Sequence, residues 1–177
     1  ILDVIEGICN KMIYRHPHIF NSDVNLNTSD EVIIKWDELK KKEKGYLGLV
    51  DEMKGITKGL PALLRAHKVQ EKAKKVGFDF ENVDEAIKKL NEEIQEVIDV
   101  YNMENMDKIK DEVGDLLFSC VNIARLLKVD EEISLNNAID KFIRRFAYID
   151  EESKKKGIEL IDMSLEDMDK LWEKSKK

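Results

Sequence analysis

The sequence predicts an all-α protein, and three observations lead there. Apolar residues recur at helical spacing over long stretches, as in Ala86, Ile87, Leu90, Ile94, Val97, Ile98 and Tyr101. Only 2 prolines and 8 glycines punctuate the 177 residues, far less turn chemistry than a sheet protein needs. The composition, 38% charged with abundant Leu, Ile, Lys and Glu, is that of amphipathic helices.

The elements follow in order. Ile1, Leu2, Val4, Ile5, Ile8 and Met12 form the apolar stripe of a first helix. It ends near His16, because Pro17 disfavours helical geometry in the residue before it and has no N–H to donate. A polar loop is expected over residues 21–27, then a helix capped by Ser29 that carries Val32, Trp36 and Leu39 before the charged run at 40–44. Glycines at 45, 48, 55 and 59 predict an irregular connector. Four longer helices are expected at 60–76, 83–102, 106–127 and 134–156, enough for a four-helix bundle. Pro61 suits the opening turn of the first, and Ser134 and Gly157 bound the last, with Ala138, Phe142, Phe146 and Ile149 inward. Residues 158–161 are expected to be extended, and Ser164 with Asp167 caps a short helix holding Leu171 and Trp172.

A formal charge of −7 and a pI near 5.2 argue against general nucleic-acid binding, since such a surface repels a phosphate backbone. Cys9 and Cys120 lie in apolar helical patterns without CxxC spacing, so buried free thiols in a reducing cytoplasm are expected. No apolar run reaches the ~18 residues that span a bilayer. The run Lys11-Met-Ile-Tyr-Arg15 resembles Lys141-Phe-Ile-Arg-Arg145. That repeat suggests that residues 1–20 are the last helix of a preceding copy of the same domain, with 21–59 a helical linker and 60–177 the catalytic domain.

Two carboxylate pairs carry the chemistry. Glu93 and Glu96 stand three apart on one predicted helix, and Glu112 and Asp115 three apart on the next. Each pair flanks its apolar stripe, so the acids fall at the rim of the bundle core, where they repel one another unless a cation joins them. Mg²⁺ fits, with Mn²⁺ a substitute: a hard ion shared between carboxylates and phosphate oxygens. Glu92 competes for a place in the first pair. Gly114, between Glu112 and Asp115, suggests close helix approach there. Lys89 and Lys108 each precede an acid by four residues, and Lys141 and Arg145 lie one turn apart. Surface ion pairing explains such lysines as well as triphosphate binding does. Trp172 is either a base-stacking ring or a packing anchor for the tail. His16, His18 and His67 share no face with the acids, which argues against a di-iron carboxylate bundle.

These residues resemble the MazG-type all-α nucleoside triphosphate pyrophosphohydrolases, whose pattern is ExxE, a gap, then ExxD. Here it stands as Glu93-Ile-Gln-Glu96 and Glu112-Val-Gly-Asp115, accompanied by Val76-Gly-Phe-Asp79, Val121-Asn-Ile-Ala-Arg125, Lys141-Phe-Ile-Arg-Arg-Phe146 and Arg15-His-Pro-His-Ile-Phe20. The resemblance implies a dimeric MazG-type domain that follows a truncated first one. It makes Glu93, Glu96, Glu112 and Asp115 metal ligands, with Lys89, Lys108, Asn122, Lys141, Arg145 and Trp172 around the nucleotide. The implied reaction is hydrolysis of NTPs and dNTPs to the monophosphate and pyrophosphate, in the service of nucleotide-pool house-cleaning. Specialisation for one nucleotide, such as dUTP, dCTP or phosphoribosyl-ATP, is the nearest alternative. A non-enzymatic helical interaction module is the other.

Overall fold

The computed structural model describes residues 1–21, 26 and 28–176, and all of its regular structure is helical. In order, the helices are α1 (Leu2–Arg15), α2 (Pro17–Phe20), α3 (Ser29–Lys44), α4 (Leu49–Lys54), α5 (Ala62–Lys74), α6 (Val83–Val100), α7 (Met106–Leu126), α8 (Glu131–Lys155) and α9 (Leu165–Lys174). Among the described residues none is long and apolar enough to cross a membrane. The chain divides into two compact units, Ile1–Lys58 with Lys68–Phe78, and Gly59–His67 with Asp79–Lys177.

In the first unit α1 ends at His16, as Pro17 requires, and packs on α3. Arg15 is buried there, with its Nε 2.6 Å from Glu43 Oε2 and its guanidinium carbon 5.6 Å from the centroid of Trp36. The polar loop expected over residues 21–27 lies largely outside the described residues. The cap of α3 is Thr28, not Ser29. Thr28 accepts from the Glu31 backbone while the Glu31 carboxylate accepts from that of Thr28, a reciprocal pairing that Ser29, followed three residues later by Val32, cannot make. The connector contains a short helix, α4, whose buried Glu52 receives Lys41 from α3 at 2.9 Å and Lys72 from α5. Gly55 follows it with the Tyr46 hydroxyl seated against its Cα, where a Cβ would lie 1.8 Å from that oxygen and the tyrosine ring would have to shift.

In the second unit α6 and α7 form the most extensive helix pairing, joined by a turn and started by Asn82 and Asn105, each of which caps the backbone three residues on. Arg125 of α7, buried, forks onto both carboxylate oxygens of Asp79 and so ties α7 to the approach to α6. α8 starts at Glu131, capped by Asp130, one turn earlier than the Ser134 start. The Ser134 hydroxyl is spent inside the helix on the Asp130 carbonyl. Gly157 (φ 67°) follows its C-terminus. Residues Leu160–Asp162 form a 3-10 turn where extended chain was expected, and α9 is capped by Ser164.

The apolar stripes are not all inside. Ile149, Met163 and Leu171 form a buried cluster between α8 and α9, with Tyr148, Leu160, Met168 and Trp172 around it. Phe142 and Phe146, expected inward, are 56% and 40% exposed, and Ala138 is exposed too. Ile94, Ile98 and Leu117 are likewise exposed. Cys9 and Cys120 are exposed rather than buried, because the faces that carry them are not covered within the chain.

Candidate metal and nucleotide site

The α6–α7 pairing brings three of the four predicted ligands together. Glu93 and Glu96 project from neighbouring turns of α6, Glu112 from α7, and each offers a carboxylate oxygen within 4.8 Å of the others. Glu93 is buried at 4% exposure, Glu112 is half-buried and Glu96 is exposed. Asp115, one turn beyond Glu112, is exposed and outside this group. Glu92 is excluded from it: its side chain is 65% exposed and, among the described residues, pairs with Lys89 at 3.4 Å. Gly114 faces open space, so no close helix approach occurs there within the chain.

The electrostatics are unsatisfied. Lys89 Nζ lies 2.9 Å from Glu93 Oε1, and this hydrogen bond raises the lysine pKa above its usual value. Glu93 Oε2 is buried and meets no donor among the described residues. The Glu96 carboxyl lies within hydrogen-bonding reach of Glu93, and that contact, followed by desolvation and the charge of Glu93, pushes its pKa up. Three acids around one lysine, with an orphaned buried oxygen, leave a hole that a hard cation fits. The donor set is all carboxylate oxygen, as Mg²⁺ and Mn²⁺ prefer.

The predicted nucleotide residues fall into separate groups. On the face of α8 toward α9, Arg145 lies with its guanidinium carbon 5.5 Å from the Trp172 centroid, and Phe142 sits 5.2 Å from the same ring. Trp172 therefore packs the tail and stays half-buried, with a cation beside it. Lys141 is exposed one turn before Arg145, and Lys108 is exposed in the first turn of α7. The carbonyl oxygen of the Asn122 side chain accepts from Arg125, which leaves its NH₂ as the outward donor. The Arg125–Asp79 fork that anchors it was not foreseen. Only the clustering of Gly77-Phe-Asp79 with Asn122-Ile-Ala-Arg125 as family text hinted at it.

The family model of the MazG nucleotide pyrophosphohydrolase domain matches residues 81–152, the segment that holds the carboxylate group. The chain is 36% identical to the nucleoside triphosphate pyrophosphohydrolase of Escherichia coli K12 over 99% of its own length and 67% of that protein's. The chain belongs to the MazG family. It is also 35% identical to the nucleoside triphosphate pyrophosphohydrolase/pyrophosphatase MazG of Thermotoga maritima, covering 99% of the chain and 66% of the relative. Bacillus subtilis YabN is 46% identical over 98% of the chain but 35% of its own length, so the MazG sequence here corresponds to about a third of that larger protein.

Proposed function

We propose that this chain hydrolyses nucleoside triphosphates to the monophosphate and pyrophosphate, with Mg²⁺ held by Glu93, Glu96 and Glu112 and the set completed by Asp115. The observation that carries the reading is the convergence of three carboxylates around a buried, donorless oxygen of Glu93 in a MazG-family chain. When bound, the cation neutralises charge on the phosphate oxygens.

The chain's own residues do the rest. Glu96, the member open to solvent, orients a water toward the α-phosphorus and accepts its proton. The water oxygen bonds to that phosphorus as the bond to the bridging oxygen breaks, and pyrophosphate leaves carrying the bridging oxygen. Lys141 and Arg145 hold the departing charge, Arg145 as a fork and Lys141 as a point charge, while Lys108 adds a further cation. Trp172 lies beside Arg145, and the part of its ring that tail packing leaves exposed stacks on the base. Asn122, its carbonyl occupied by Arg125, donates to an acceptor on the nucleotide. No residue pattern here selects a single base, so broad tolerance for NTPs and dNTPs is proposed, with a house-cleaning role in the cytoplasm and no nucleic-acid partner.

A homodimer completes the reading. Ile94, Ile98, Leu117, Ile139, Phe142, Ile143 and Phe146 are 40% to 59% exposed, large side chains on helices α6, α7 and α8 that a second copy would cover. Gly114 faces open space beside them on α7, which gives a second copy room to approach. Within each chain the carboxylate group lies in the unit Gly59–His67 with Asp79–Lys177, inside the catalytic domain expected over 60–177. Pyrophosphate release from mixed NTPs with Mg²⁺ tests the activity: steady turnover is expected, and none would end the enzymatic reading.

A further inference from the structure

Lys89 sits at the carboxylate group in a way that helix energetics do not explain. In an i,i+4 pair the favourable order puts the acid N-terminal to the lysine, whereas Lys89 precedes Glu93. The pair therefore gains little from its place on the helix, and it forms on the one acid of the set that is buried. Neither Glu96 nor Glu112 forms an ion pair among the described residues, so there the Lys89 ammonium, bonded to Glu93 alone of the three, is the one cation paired with the group. Its charge falls short of theirs, and Glu93 Oε2 is left without a donor. The Lys89 side chain is 40% exposed and its ammonium sits on a flexible four-carbon stem, so it can leave at little cost.

We propose that Lys89 is a resident counter-cation that a divalent ion, binding beside it at the donorless Oε2, drives off Glu93 by charge repulsion, and that this release is what makes Lys89 available for the phosphate contact its family resemblance implies. The proposal rests on the reading of Glu93, Glu96 and Glu112 as a metal site. Ion binding is then an exchange, in which Glu93 exchanges the ammonium for the divalent ion. Ion and nucleotide bind cooperatively as a result, because the ion releases the cation that the triphosphate needs. Lys89 is a substrate-binding residue in this scheme, and it couples the loaded metal site to substrate capture.

The test reads Mn²⁺ binding to the full chain without nucleotide, from the electron paramagnetic resonance signal of free Mn²⁺. Wild type, Lys89→Met, Lys89→Gln and the control Lys88→Met are compared. Lys88 is an exposed neighbour whose loss removes the same charge without touching Glu93. The exchange predicts that both Lys89 variants bind Mn²⁺ about tenfold more tightly than wild type, while Lys88→Met stays within about twofold. It further predicts that adding a non-hydrolysable triphosphate tightens Mn²⁺ binding less in the Lys89 variants than in wild type. Lys89 variants that match Lys88→Met, or bind more weakly than wild type, overturn the exchange while leaving the metal site standing. Absence of Mn²⁺ binding by the wild type overturns both.

Discussion

Replacing Glu93 with glutamine should make the ion-free protein more stable and the Mg²⁺-loaded comparison less favourable to the variant. Without a cation, Glu93 is a buried charge with one oxygen bonded to Lys89 and the other donorless. Glutamine keeps the shape, removes the charge, and supplies an NH₂ that can donate to the Glu96 carboxylate. Leaving a buried acceptor such as Glu93 Oε2 unsatisfied costs roughly 1–3 kcal/mol, and the relation with the partly exposed Lys89 is worth about 0.5 kcal/mol. A net gain of about 1 kcal/mol follows, which for a chain of this length shifts Tm upward by about 3 °C. Mg²⁺ reverses the order: at about ten times its Kd a ligand stabilises the native state by about 1.4 kcal/mol, and the variant forfeits most of that. The assay is thermal unfolding by circular dichroism with EDTA and with excess Mg²⁺. Destabilisation of Glu93→Gln by more than about 1 kcal/mol in EDTA would refute the reasoning and make Glu93 a structural residue. Equal Mg²⁺ stabilisation of both proteins would refute it as well.

Two further expectations concern structural links. Burial pushes the Glu52 carboxyl up, but its bonds to Lys72 and Lys41 outweigh that and hold it below its ordinary 4.5. Because the folded pKa is the lower one, the stability this contributes is complete above about pH 4.5 and drains away as the pH falls further. Glu52→Gln should lower the urea midpoint at pH 7 by the equivalent of about 1–2 kcal/mol and by progressively less as the pH drops through 4; a constant difference would contradict the assignment. Arg125→Met breaks the buried fork onto Asp79 and should cost about 3 kcal/mol in urea unfolding, with Arg125→Lys recovering only part of it; a loss below about 1 kcal/mol would mean the fork is incidental.

Much of the fold was legible because its punctuation is local. Pro17 stops α1, Gly157 closes α8, and Ser164 opens α9 through chemistry that each residue carries by itself. Boundaries went wrong where two capping residues compete. Thr28 and Ser29 are equally good hydroxyl caps, and only the glutamate three residues after Thr28 decides between them. Ser134 was mistaken for a cap because its hydroxyl serves equally well bonded back to a helical carbonyl. Periodicity predicted which residues share a face but not whether the chain itself covers that face, hence the exposed Phe142, Phe146 and Cys120. In the site, spacing found the carboxylates. It could not choose between Glu92 and Glu93, which differ by 100° around α6 and only in three dimensions become one exposed and one buried acid. Nor could it foresee that Arg125 holds Asn122, since Asp79 lies 46 residues away along the chain.

The most direct test of the account is pyrophosphate release from a mixture of NTPs by the wild-type chain and by Glu112→Gln, each with Mg²⁺ and with EDTA. Glu112 is the proposed ligand from α7, half-buried and without an ion pair among the described residues, so its replacement would remove that ligand without breaking an ion pair. The account predicts Mg²⁺-dependent release by the wild type, abolition by EDTA, and at least about a hundredfold loss in a normally helical Glu112→Gln. Release that persists in EDTA, or a Glu112→Gln chain as active as the wild type, would contradict it.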